Sequence, residues 1–265
     1  MEAPQLLDLW PAGSPNRPEG FHPRLKVFRP AKGAPRRRSA VLVFPGGGYA
    51  GHAPHEAEPF AELFASRGHP AAVAWYRVAP HAFPAPVADG CRAMRLFRSL
   101  APGLGFDPAR VALLGFSAGG HLASTLATQP DCWTDPHDDL AGRLPARPNA
   151  AILAYPVISF SRSPHAGSRR NFLGREPTPA EEERFSSERR VDASTPPTFL
   201  FHTADDAAVP VANSLAFAEA CAAAKVPFAL HAFPRGRHGV GLAKDDPVLS
   251  AWTGLMLAWL EKTLE

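Results

Sequence analysis

Val111-Ala-Leu-Leu-Gly-Phe-Ser-Ala-Gly-Gly-His-Leu122 holds a strand, a turn and a helix start with nothing between them. Val111 to Leu114 is apolar on both faces, as expected of a strand covered on each side. Gly115, Ser117 and Gly119 then fall at G-x-S-x-G spacing, and an Ala- and Leu-bearing stretch runs on toward Thr128 with helical character. A turn this sharp brings backbones together and leaves little room for a Cβ two positions either side of the serine. The spacing predicts a strained elbow that holds Ser117 Oγ out at the top of a sheet, as a nucleophile must be held.

Working outward, five more short apolar runs recur between helical patterns: Ala40 to Pro45, Pro70 to Tyr76, Ala150 to Pro156, Pro197 to Thr203 and Phe228 to Phe233. Together with Arg110 to Phe116 they predict a mostly parallel sheet with helices on both faces, and Leu25 to Phe28 adds an antiparallel edge strand. Val87, Cys91, Met94, Phe97 and Ala101 repeat at helical spacing, with Arg92, Arg95 and Arg98 expected on a solvated face. Val248, Trp252, Leu255, Trp259 and Leu260 read as the core face of a C-terminal helix. Residues 157–195 are rich in Ser, Arg, Pro and Glu and sustain no apolar period. They read as an insertion over the carboxyl end of the sheet, partly packed through Phe172, Leu173 and Phe185, within one domain spanning residues 1–265.

A serine hydroxyl needs a base within hydrogen-bond reach and an acid to orient that base, in the chain order Ser, Asp or Glu, His. His238, in Pro234-Arg-Gly-Arg-His-Gly239, lies in a glycine-flanked loop after the final strand, where the base belongs. His121 is expected to point into helix packing, and His202 and His231 lie inside strand-like runs. The acid comes from Asp205-Asp206, directly after the run ending at Thr203. Asp206, with one more loop residue in which to turn, is the preferred candidate, leaving Asp205 to cap a helix or steady the loop. Pro45-Gly-Gly-Gly-Tyr49 follows the first parallel strand. Its bare backbone predicts an oxyanion cradle from the N–H groups of Gly47, Gly48 and Ala118, with Tyr49 at the pocket edge. No Gly-Lys-Ser or Gly-Lys-Thr follows, which separates this loop from a phosphate loop. His52 and His55 lack a third and fourth ligand nearby, so no metal site is expected.

Taken together, these motifs resemble α/β-hydrolases of the acetyl esterase and acetylxylan esterase type, related to hormone-sensitive-lipase-like esterases. The likeness covers most of the chain: Leu9-Trp-Pro11, Pro45-Gly-Gly-Gly-Tyr49, His55-Glu-Ala-Glu-Pro59, Tyr76-Arg77, Gly115 to His121, Tyr155-Pro-Val157, Pro196-Pro-Thr-Phe199, Asp205-Asp206 and His238-Gly-Val-Gly241. Pro45 stands where many members carry histidine. The resemblance implies ester hydrolysis through an acyl-enzyme on Ser117, with Asp206 and His238 as its partners and no cofactor. Short acyl esters, acetylated sugars among them, are the implied substrates. A prolyl-oligopeptidase-like peptidase shares the fold and the three residues but carries a large extra domain. A hydrolase-fold binding protein tends to lose one of the three.

Composition excludes other classes. The 265 residues carry 28 basic and 25 acidic side chains, a formal net charge of +3, which is no nucleic-acid footprint; the one tight basic cluster, Lys32 with Arg36, Arg37 and Arg38, reads as a solvated loop. Three cysteines with no close spacing support neither a zinc ribbon nor a disulfide framework and point to a reducing compartment. The first ten residues lack the pattern of a signal peptide, and no run is long enough to cross a bilayer, so a cytoplasmic location is expected.

Overall fold

The computed structural model describes residues 2–14, 16–17, 20–137 and 139–265. In chain order the elements are β1 (Gln5–Asp8), β2 (Arg24–Phe28), β3 (Ala40–Phe44), α1 (Glu58–Ser66), β4 (Ala71–Trp75), α2 (Ala85–Ser99), α3 (Ala101–Leu104), β5 (Val111–Phe116), α4 (Ser117–Thr128), β6 (Ala150–Ala154), α5 (Ala166–Leu173), α6 (Pro179–Arg184), β7 (Thr198–Thr203), α7 (Ala212–Ala223), β8 (Phe228–Phe233) and α8 (Ala251–Leu264). The strands join in one sheet of order β1-β2-β4-β3-β5-β6-β7-β8. β2 pairs antiparallel with both β1 and β4, and every pair from β4 to β8 is parallel.

Alternate residues of the central strands feed two cores. Leu42, Phe44, Leu113 and Leu153 face Met94, Phe97, Leu122 and Phe217 from α2, α4 and α7. Val41, Val43, Leu114 and Ile152 face Phe60 and Phe64 of α1 and Trp252 and Leu260 of α8. The centre of the sheet is therefore covered on both sides, as its two-faced apolar runs require.

Several expectations need correction. Leu25–Phe28 is antiparallel but not at the edge, because Gln5–Asp8 pairs outside it, Leu7 opposite Leu25. Gln5, Leu6 and Asp8 are exposed and show no apolar pattern, so only the ladder makes them a strand. β8, at the other edge, is half exposed, not covered on both faces. Val248 and Leu255 are exposed, at 68% and 41%; the buried face of α8 runs through Trp252, Met256, Leu260 and Leu264. In residues 157–195 the packing expected of Phe172, Leu173 and Phe185 is present and goes further: α5, α6 and a 3₁₀ turn at Ser187–Arg190 gather Phe160 into the core with them.

The arginine stripe of α2 is buried, not solvated. The described residues between α4 and β6 lie over it and supply the guanidinium groups with acceptors, the fully buried Asp135 carboxylate among them. Arg92 pairs with Asp135 and Asp139 and donates to Leu9 O, and Arg95 donates to Leu144 O. Arg98 donates to Pro108 O, Arg147 O, Pro145 O and Asn149 Oδ1. The basic cluster also has partners: Arg37 bonds Glu261 on α8, and Arg38 bonds Asp107. All three cysteines are free, yet the fold brings the Cys91 and Cys132 thiols together. Among the described residues no helix is long and apolar enough to cross a membrane.

Asp89 on α2 is the polar hub at this end of the sheet. Its carboxylate is fully buried and accepts from Trp10 Nε1 at 2.7 Å and from Arg77 N, Nε and Nη2 at 2.7, 2.8 and 2.7 Å. Removing one partner of such a pair strands a buried charge and costs about 3–5 kcal/mol. Asp89→Ala is expected to lose about that much in urea denaturation, and a loss below about 1 kcal/mol would contradict this account.

Candidate active site

The elbow forms where β5 passes into α4 with no intervening loop. Ser117 adopts φ 51°, a left-handed conformation unfavourable for any residue with a side chain. Close packing maintains it: a Cβ on Gly119 would lie 2.3 Å from Phe44 O, so α4 can rest on the end of β3 only with glycine there. Ser117 O accepts from Val157 N at 3.0 Å, which ties the turn to the end of β6.

The three residues selected from sequence meet at this point. Ser117 Oγ lies 2.8 Å from His238 Nε2, and His238 Nδ1 lies 2.6 Å from Asp206 Oδ2. An ionised carboxylate can only accept, so Nδ1 carries the proton and Nε2 is left to accept from the serine hydroxyl. Asp206 Oδ1 accepts from the N–H groups of Ala208 and Val209, both at 2.9 Å. Burial opposes charge on Asp206, but hydrogen bonds from His202, His238 and Val209 N–H outweigh it and hold the carboxyl well below the usual range. Asp205 turns the other way: its Oδ1 accepts from Gly236 N at 2.8 Å and pins the start of the His238 loop.

The loop after β3 lies against the serine. A Cβ on Gly46 would come within 2.9 Å of Ser117 Cβ. Gly47 and Gly48 have φ of 126° and 65°, and Tyr76 OH donates to Pro45 O at 2.6 Å. Among the described residues the N–H groups of Gly47, Gly48 and Ala118 donate to no protein acceptor, as a cradle for a substrate oxygen requires.

Tyr49 does not sit at a pocket edge. Its ring is fully buried against Phe172, and its hydroxyl bonds His121 Nδ1 at 2.9 Å. It anchors the glycine loop from below. His121 Nε2 donates to Phe185 O at 2.9 Å, so Nδ1 is the acceptor for the Tyr49 hydroxyl. His52 packs edge-on against Trp75 and Tyr76, and His55 Nε2 donates to Gly239 O at 2.9 Å. Among the described residues no cluster of three or more metal-ligating side chains forms.

Sequence reasoning missed the contribution of α5. Asn171 Nδ2 donates to Gly48 O at 2.9 Å, Ser168 Oγ faces Gly48, and His165 lies close enough to His238 and Asp206 to feel their charge. The only signal for these residues was their place in a segment expected over the carboxyl end of the sheet.

A protein-family model, BD-FAE, matches residues 25–221. The chain belongs to the BD-FAE family. This BD-FAE member is 40% identical over 222 residues to endo-1,4-beta-xylanase B of Butyrivibrio fibrisolvens, a match covering 82% of this chain and 35% of that protein. It is 33% identical over 208 residues to the acetylxylan esterase of Xylanibacter ruminicola, covering 76% of this chain and 41% of that one. The chain thus spans well under half the length of either curated relative. Among solved structures, the acetyl ester-xyloside bifunctional hydrolase of Caldicellulosiruptor lactoaceticus superposes with a TM-score of 0.90 at 43% identity, covering 97% of this chain and 96% of that one. The fold of this BD-FAE chain is the α/β-hydrolase fold.

Burial lowers the pKa of His121 from 6.5 to about 4. An unfolded histidine binds its proton first, so this contribution to stability is full above about pH 6.5 and is lost as pH falls toward 4. The melting temperature is expected to drop across that window. In His121→Gln, which lacks the titrating group, the drop between pH 6.5 and 4.5 should be smaller. Equal slopes in both proteins would refute the assignment.

Proposed function

We propose that this chain is a serine carboxylic-ester hydrolase acting through an acyl-enzyme on short acyl esters, with acetyl groups on carbohydrate as the substrate class. The observation that carries the reading is the continuous contact from Ser117 Oγ through His238 to Asp206, at 2.8 and 2.6 Å. The names of the relatives, an acetylxylan esterase and an acetyl ester-xyloside hydrolase, supply the acetyl and sugar parts of the proposal. Residues 1–265 act in this reading as one hydrolase domain, with 157–195 as its cap. A cytoplasmic setting, where its three free thiols stay reduced, belongs to the same proposal.

In this mechanism Ser117 Oγ attacks the ester carbonyl carbon while its proton passes to His238 Nε2. Asp206, held ionised, stabilises the imidazolium that results. The carbonyl oxygen becomes an oxyanion facing the N–H groups of Gly47, Gly48 and Ala118 at the start of α4, where the helix dipole also favours negative charge. Collapse breaks the bond to the alcohol oxygen, which leaves with the proton from His238, and acetyl remains on Ser117. A water molecule then gives a proton to His238 and attacks the acyl carbon, and return of the proton to Ser117 releases the acid.

Ser117→Ala is expected to cut p-nitrophenyl acetate turnover by about 10⁴-fold or more. Asp206→Asn should lose on the order of 10⁴-fold through the wrong imidazole tautomer, while Asp205→Asn, which removes a charge but keeps an oxygen to accept from Gly236 N, should stay within about tenfold of the parent. Wild-type turnover by purified Ser117→Ala protein would sink the proposal.

A further inference from the structure

Glu56 is a carboxylate the mechanism has not used. It lies in the 3₁₀ turn Pro54–Glu56 between the glycine loop and α1, and only 2% of its surface is exposed. An isolated carboxylate is costly to bury, so a buried one calls for partners that account for it. Its Oε2 accepts from Gly46 N at 2.9 Å, at the root of the glycine loop. Its Oε1 would lie 3.5 Å from a Cβ on Gly239, the residue after His238. The Tyr155 hydroxyl, beside the same carboxylate, accepts from Gly241 N at 3.2 Å, and the Tyr155 ring stands edge-on to His238 with centroids 5.2 Å apart. One buried side chain thus bonds the glycine loop directly and lies beside the His238 loop, with His55 Nε2 between its Oε1 and Gly239 O at 3.6 and 2.9 Å.

We propose that Glu56 is a positioning residue: it fixes the oxyanion loop against the His238 loop and places a second negative charge, after Asp206, behind the imidazole that becomes cationic in the reaction. The proposal rests on the hydrolase reading above. The groups facing the Glu56 carboxylate are His55 on its own turn, 3.6 Å from Oε1; Tyr155 at the end of β6; Tyr76 at the end of β4; and Arg237 and His238 from the loop after β8. Burial raises the Glu56 pKa, opposed by Gly46 N–H, Tyr155, His55 and His238. These neighbours pull toward the ionised form, which is the form the proposal requires, against the burial that raises its pKa. A negative charge beside an imidazole favours the protonated ring, so neutralising that charge moves the acid limb of activity to lower pH.

The test compares Glu56→Gln with the parent. The amide oxygen still accepts from Gly46 N, but the charge is gone. The expected result is a folded protein with kcat down by about tenfold or more, KM within about threefold, and the acid limb of kcat/KM moved down by about half a pH unit. Tyr155→Phe, which leaves the Glu56 charge in place but removes the hydroxyl between it and Gly241, should lower kcat without moving the limb. If Glu56→Gln does not fold, Glu56→Asp decides: it keeps the charge and shortens the reach, so it should lower kcat with an unmoved limb. Parent-like kcat in the folded Glu56 variant overturns the proposal. So does a kcat loss in Glu56→Gln with an unmoved limb. Fluorophosphonate labelling of Ser117 in the parent separates this failure from failure of the hydrolase reading, which predicts labelling whatever Glu56 does.

Discussion

The approach of α4 to the end of β3 is the constraint on which the site depends. Because Gly119 allows the helix to rest on the Phe44 carbonyl, β5 can turn into α4 within a single residue, and that residue is Ser117. The left-handed conformation costs on the order of 1–3 kcal/mol. It persists because the helix behind it is sheathed on all sides: every residue of α4 from Ser117 to Thr128 is buried. Burying Leu122 and Leu126 alone gives about 1.5–3 kcal/mol each, so packing exceeds the strain.

The same exchange is repeated around the serine. Of the five non-glycine residues with positive φ among those described, three are Tyr49, Ser117 and Tyr155. Both tyrosines are buried aromatics whose hydroxyls are occupied, Tyr49 with His121 and Tyr155 with Gly241 N. Strain is therefore concentrated at the carboxyl end of the sheet, and large buried rings hold it in place. A site that must present bare N–H groups to a substrate cannot satisfy them internally, so its rigidity has to come from the layer beneath. Tyr76 holding Pro45 O and Asn171 holding Gly48 O serve that purpose for the glycine loop.

What was legible in the sequence followed from backbone demands that only certain residues meet. The elbow glycines, the triple glycine and the two-faced apolar runs identify β3 to β7 and their loops because glycine and unbroken apolar strands have few other uses. The partners of Ser117 were legible by chain order and elimination. The misreadings have a common cause: they concern residues whose environment is set by segments distant in sequence. Arg92, Arg95 and Arg98 look solvated until residues 135–137 and 139–149 cover them. Tyr49 looks like a rim residue because its neighbours are, yet His121, 72 positions on, draws its hydroxyl inward. Gln5–Asp8 has no pattern of its own and becomes a strand only through β2. The insertion hides its order because its three buried phenylalanines are too far apart to form a period.

The two buried carboxylates of the site show how environment divides like groups between tasks. Asp206 and Glu56 both lie out of water and both bear on His238, but they sit in opposed surroundings. Asp206 receives two backbone N–H groups and a histidine, enough to outweigh burial and keep it charged. Glu56 receives one backbone N–H, with the Tyr155 hydroxyl beside it, and burial prevails in raising its pKa. Asp206 suits the fixed orienting of the imidazole ring, which must hold through every step. Glu56, more weakly held and spanning two loops, suits a role that depends on how those loops meet, and its placement between Gly46 and Gly239 ties the geometry of the oxyanion cradle to that of the base.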